Sequence, residues 1–306
     1  MRPIYVVCGP AAARVALHST TEAITASSIP TRAELRPLDA AAKEILPVDP
    51  TPSLDEIAAR PDVKHLGAPQ RAPQQPEEAL RVVVIGTDAA LSAVLTRMMR
   101  GDYLWAEVGY VPLSGDSAAA KNWGLPASVE FASTAPVKPA PVIRNDAGLV
   151  VAGSASLTAW DGGSFEGEVI VDDDTILNQP DKIDNARFFS PFGVRMVPTV
   201  DAPGIVAARL VTPAEGNNGS WLGRMITRSM SPEQVQSWFE TPSLSWMVKK
   251  APVRAGGVDP ASIMQGRAVQ VGGNEVRVTV DGVSAKRPVA RATFYRHLRD
   301  LQIVRP

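Results

Sequence analysis

The spacing of apolar and polar positions changes sharply between residues 81 and 126. Arg81 to Ile85 is a short apolar, β-branched run, the pattern of a strand buried on both faces. Gly86-Thr87-Asp88 interrupts it with a tight polar turn. From Ala89 to Met99, Leu91, Val94, Leu95 and Met98 recur at helical spacing and predict a helix. Val108 to Leu113 reads as a second strand and Ser114-Gly115-Asp116-Ser117 as a second small polar loop. A further helical segment ends at Gly124-Leu125-Pro126. Strand, turn and helix, given twice, predict neighbouring parallel strands. The carboxyl ends of such strands form a crevice where α/β sheets bind ligands.

On either side the pattern is weaker. Ile4 to Val7 predicts a first buried strand, and the alanine-rich stretch from Ala11 to Ser27 predicts a helix. Residues 31–80 are dense in proline. They read as an insertion with short helices at Ala40 to Ile45 and Ser53 to Ala59 and a mobile loop at Gly67 to Pro76. Thr134 to Pro141 has the composition of a linker. Beyond it short strands dominate: Val142 to Arg144, Gly148 to Trp160, Ser164 to Val171, Gly193 to Pro198 and Gly204 to Val211. Ser231-Pro232-Glu233-Gln234 opens one helix. Gly272-Gly273-Asn274 predicts a hairpin between Gly266 to Val271 and Glu275 to Val280. The expected plan is an α/β N-terminal domain with a mainly parallel sheet over residues 1–133, completed by a C-terminal strand in 293–306. A β-rich C-terminal domain follows over 141–292.

Composition narrows the function classes. With 45% hydrophobic residues and a net charge of −1, the chain has the material for a packed core and no global basic field for nucleic acid. The single cysteine excludes an internal disulfide and a cysteine-based zinc site, and with it the expectation is a cytoplasmic protein. No apolar run approaches the ~20 residues of a membrane-spanning helix, which leaves peripheral contact as the route to a membrane.

Three motifs, in order, resemble those of the diacylglycerol kinase and lipid kinase family, whose fold is shared more distantly by NAD kinases. The family's G-G-D-G-T turn corresponds to Gly86-Thr87-Asp88-Ala89-Ala90. Its P-L-G-T-G-N-D-F-A-R segment, closing with L-G-I-P, corresponds to Pro112 through Lys121, closing with Trp123-Gly124-Leu125-Pro126 without a gap. Its D-G-E corresponds to Asp281-Gly282-Val283. The resemblance implies a nucleotide-binding α/β part followed by a β-rich lipid-binding part, with ATP and magnesium used to phosphorylate a lipid hydroxyl. It also implies site residues. Gly86, Thr87, Ser114, Gly115, Asp116 and Ser117 would meet the nucleotide, Asp116 the metal, and Asp88 and Asp281 the chemistry.

The departures fall on that chemistry. Thr87 and Ala89 replace turn glycines that let backbone N–H groups approach phosphate. Ser117-Ala118 replaces the asparagine–aspartate pair, and Val283 stands where the family has its glutamate base. Three readings follow. One is an impaired relative kept to bind a nucleotide, lipid or protein partner. The second is an active lipid kinase with rearranged residues, and the third a structural protein, dimeric through its β-rich part.

The same residues have plainer readings. Asp88 caps the following helix, Ser114 to Ser117 caps another, and Asp281-Gly282 is a turn. Asp172-Asp173-Asp174 reads as a solvated turn rather than a cation cluster, and His18 and His65 have no partners at ligand spacing. The arginines around His297 (Arg287, Arg291, Arg296, Arg299) read as a solvated strand edge or as a basic face for phosphate groups.

Overall fold

The computed structural model describes residues 1–15, 22–47, 67–74, 76–180, 191–214 and 256–306. The expected helices at Ser53 to Ala59 and from Ser231 onward lie outside the described residues, as do His18 and His65.

Strands β1 (Arg2–Cys8), β2 (Ala23–Ala26), β3 (Leu80–Gly86) and β4 (Glu107–Pro112) belong to a six-stranded sheet. Its other members are β5 (Val137–Ala140) and β17 (Leu301–Val304), and its order is β2-β1-β3-β4-β17-β5. All neighbours are parallel except β5, which runs antiparallel to β17 at the edge. Side chains of a strand alternate between faces, and β3 shows why its pattern is uninterrupted. Val82 and Val84 enter the core on one face, and Val83 and Ile85 a second, smaller core on the other.

The helices are α1 (Gly9–Ala12), α2 (Arg36–Ile45), α3 (Asp88–Arg100), α4 (Ala118–Trp123) and α5 (Val129–Thr134). The hydroxyl of Thr87 accepts from the N–H of Ala90 at 3.3 Å and starts α3, and the helix stops at Gly101. Leu91, Val94, Leu95 and Met98 are all buried against the sheet, as the helical spacing requires.

The remaining strands form a large β-rich part, antiparallel throughout: β6 (Ile143–Asn145), β7 (Val150–Val151), β8 (Ala155–Ala159), β9 (Gly167–Val171), β10 (Asp174–Gln179), β11 (Gly193–Pro198), β12 (Ile205–Leu210), β13 (Met264–Gly266), β14 (Ala268–Val280), β15 (Val283–Ser284) and β16 (Val289–Arg296). Its main path is β13-β12-β11-β8-β14-β16-β6-β7, with a core that includes Leu157, Val194, Met196 and Phe294.

Four local expectations are corrected. The stretch from Ala11 to Ser27 is not one helix, because Ala23–Ala26 pairs with β1 as a parallel strand. The linker-like Thr134 to Pro141 contains edge strand β5. No hairpin forms at Gly272-Gly273-Asn274: β14 runs on through it, with an irregularity between Gly272 and Val276. On its N-terminal side β14 pairs with β9, and beyond it with β8, so the glycines allow a strand to change partners rather than reverse. The stretch from Gly67 is pinned to the chain's end. Arg296 Nη1 donates to Gly67 O at 2.7 Å, and the Gln70 N–H donates to Asp300 Oδ2 at 2.9 Å.

Candidate functional site

The turns after β3 and β4 lie at the same end of the sheet, since Gly86 pairs with Pro112 in the last rung of the ladder. A single carboxylate joins them. Asp88 Oδ1 accepts from the Ser117 hydroxyl at 2.5 Å and lies 2.9 Å from the Tyr110 hydroxyl. Asp88 Oδ2 accepts from the N–H groups of Ala118 at 2.7 Å and Ala119 at 3.2 Å. Ser117 in turn caps α4, its Oγ accepting from the Ala120 N–H at 3.0 Å. Asp88 therefore caps α4, across the crevice, while Thr87 caps α3. Carboxylates at helix N-termini are stabilising for both dipole and hydrogen-bond reasons. Tyr110 also reaches Gly86 O at 3.2 Å, and burial, followed by the charge of Asp88, pushes its hydroxyl towards the protonated form.

Asp281 makes the second clasp. It occupies a two-residue turn between β14 and β15, with φ of 49° at Asp281 and 81° at Gly282. Its Oδ2 accepts from the Ala152 N–H at 2.8 Å, and its Oδ1 from Gly153 at 2.7 Å and Ser154 at 2.9 Å. Burial pushes this carboxyl up to about 7 against the pull of the three N–H donors, and the charge of Asp88 adds to the rise. The turn at residues 152–154 thus lies between both carboxylates. It is held from the other side by Asn122, whose Nδ2 donates to Gly153 O at 2.7 Å. Sequence reasoning missed this turn, Tyr110 and Asn122. The available signal was Ala152-Gly153-Ser154, a glycine inside an apolar strand pattern, which marks close backbone approach.

The other expected residues are placed as follows. Gly86 is packed, because a β-carbon there would lie 2.8 Å from that of Ala90 and 3.0 Å from that of Cys8. Ser114, Gly115 and Asp116 form an exposed tip, with open space around Gly115. Asp116 is almost fully exposed and pairs with Lys121 at 3.1 Å. Among the described residues no group of three histidine, cysteine, aspartate or glutamate side chains is gathered as a metal site requires. The N–H groups that start α4 are already taken by Asp88 and Ser117. Those N–H groups are therefore not free to hold a phosphate at the start of α4.

Asp172 is a turn residue at φ 51° whose carboxylate accepts from the N–H groups of Arg267 and Ala268. The cluster around His297 divides between surface and interior. Arg291 is exposed, but Arg296 is buried and paired with Asp300 at 2.8 Å. Burial, followed by the charge of Arg144, pushes the imidazole of His297 down to about 4. Burial pushes the Cys8 thiol up to about 12, so it is no nucleophile.

No protein-family model and no curated protein matches the chain. Among solved structures, a diacylglycerol kinase from Bacillus anthracis str. Sterne is similar over 100% of this chain and 97% of its own, at 7% identity and a TM-score of 0.49. A putative diacylglycerol kinase from the same organism is similar at 8% identity and 0.46, with the same coverage. An NAD kinase from Archaeoglobus fulgidus, solved in complex with ATP, is similar at 11% identity and 0.35, over 98% of this chain and 92% of its own. At these identities and scores the matches carry no information about which residues act. No described helix is long and apolar enough to cross a membrane.

Proposed function

We propose that the chain is a lipid-kinase-like protein that has lost phosphoryl transfer and keeps its fold to bind a ligand. One observation carries this reading: both oxygens of Asp88 are engaged by the protein's own donors, at Ser117, Ala118, Ala119 and Tyr110. Phosphoryl transfer depends on metal, charge stabilisation and an oriented nucleophile. A carboxylate that caps a helix with one oxygen and accepts two hydroxyls with the other is committed elsewhere. The sequence departures agree, since Val283 offers no proton acceptor where the resembled family has a base.

A second reading, an active kinase, draws on one observation. Asp281 is pushed up to about 7, close to the value that suits a general base at neutral pH. Both its oxygens also accept backbone hydrogen bonds, which favours the structural role.

The test is transfer of labelled phosphate from magnesium-ATP to neutral lipid alcohols in mixed micelles. The expected result is no incorporation above that of Asp281→Ala. Incorporation that Asp281→Ala abolishes, in a variant that remains folded, would overturn the proposal.

A further inference from the structure

A cleft of about 550 Å³ lies between α3 and the β14–β16 region, closed on its other sides by the β6–β7 turn and the loop after β2. That volume is within the range of roughly 300–1,000 Å³ typical of small-molecule sites. Its lining is apolar in effect. Ala89 and Ala93 of α3 face Val278 and Val280 of β14 and Ala292 of β16. The polar side chains in the lining are spent locally. The Ser92 hydroxyl donates to Val150 O at 2.5 Å, and Thr96 Oγ1 accepts from the Val150 N–H at 2.9 Å. Asn145 Oδ1 accepts from the Leu149 N–H at 2.8 Å.

Two features distinguish this cleft from a packing defect. Ile29, Leu149 and Val283 all line it, and each is between 40% and 46% exposed. Partly exposed large apolar side chains on three walls of one cleft leave apolar surface for a ligand to cover. The charged lining is also lopsided. It holds four arginines and one carboxylate, Asp146. Arg97 is neutralised by Asp39 at 2.6 Å, and Arg100 donates to the carbonyls of Ala147 and Gly148. The side chains of Arg32 and Arg291 are exposed and make no ion pair or hydrogen bond among the described residues. Guanidinium forks match carboxylate and phosphate geometry.

We propose that this cleft binds a single-chain anionic amphiphile, a long-chain carboxylate or alkyl phosphate. Its chain would lie against the apolar lining and its head at Arg32 and Arg291. The proposal rests on the reading of the chain as a binding protein and names the class of ligand.

The experiment titrates decanoate, decyl phosphate, 1-decanol and inorganic phosphate into the full chain by calorimetry. It then repeats the titrations with Ala93→Phe, which fills the cleft, and with Arg32→Glu/Arg291→Glu on its surface. The expected result is saturable binding of one or both anionic amphiphiles, the tighter one identifying the head group. Decanol should bind at least tenfold more weakly and inorganic phosphate not at all. Each variant should weaken binding at least tenfold with its unfolding midpoint unchanged. The surface double variant keeps the test valid if Ala93→Phe fails to fold. Absent binding, equal binding of decanol, or binding unaffected by the double variant would overturn the proposal. Detected phosphoryl transfer would overturn only the non-catalytic reading, whereas absent binding with absent transfer would overturn only this inference.

Discussion

Gly153 lies so close to Asp88 that a β-carbon built on the glycine would sit 2.7 Å from Asp88 Oδ2 and 2.8 Å from the backbone nitrogen of Ala119. The turn of the β-rich part is thereby pressed against the carboxylate that holds α4. Asp281 accepts from the N–H of that same Gly153. Two acids and one glycine form a junction between the parallel sheet and the β-rich sheet.

Gly153→Ala is therefore expected to destabilise the chain. A methyl group there meets backbone as well as a carboxylate, and neither yields freely. Overpacking of this kind costs about 1–3 kcal/mol. Urea denaturation followed by circular dichroism measures it. Gly115→Ala, at an exposed position with no atom near the new methyl group, is the control and should leave the midpoint nearly unchanged.

The acidity of Asp281 gives a pH dependence of definite sign. Its folded value, about 7, lies above that of an ordinary carboxyl near 4, so the folded state binds the proton more tightly. The stabilisation is fully present below about pH 4 and is lost as pH rises through 7. Asp281→Asn removes this dependence. The stability of the native chain minus that of the variant should fall between pH 4 and 8, as read from denaturation at each pH. A difference that grows with pH would contradict the assignment.

His297 acts in the opposite sense. Its folded value, about 4, lies below the ordinary 6.5, so the folded state resists protonation. The stabilisation is present above about pH 6.5 and is lost as pH falls towards 4. His297→Gln should flatten that loss, and a titration of the imidazole by NMR should find it neutral at pH 6.

Much of the fold was legible because it rests on periodicity. The helical spacing of α3 and the short, β-branched apolar run of β3 each point to one element, and Thr87 and Ser117 cap their helices as small polar residues before an apolar run do. The errors arose where composition stood in for packing. Pro139 suggested a linker but sits in edge strand β5, one of the places in a sheet where proline is tolerated. Gly272-Gly273-Asn274 suggested a reversal, but β9 and β8 continue the pairing on either side of it. In the site, Asp88, Ser117 and Asp281 were visible as residues, but their partners were not. That Asp88 caps the helix after the next strand, rather than its own, depends on a contact 29 residues away to Ser117. Local pattern carries no record of it. Gly153 and the arginine-lined cleft are likewise products of the tertiary structure alone.

The central claim is that Asp88 is a structural cap and not a ligand for metal or nucleotide. Asp88→Asn tests it most directly, because the amide keeps the shape but removes the charge and one of the two acceptor oxygens that hold the start of α4. Equilibrium unfolding of the native chain and the variant, each with and without millimolar magnesium-ATP, is the measurement. Asn is expected to cost about 1–3 kcal/mol of stability with no nucleotide present, as the loss of hydrogen bonds to a charged group does. A variant as stable as the native chain, lacking a magnesium-ATP stabilisation that the native chain displays, would contradict it.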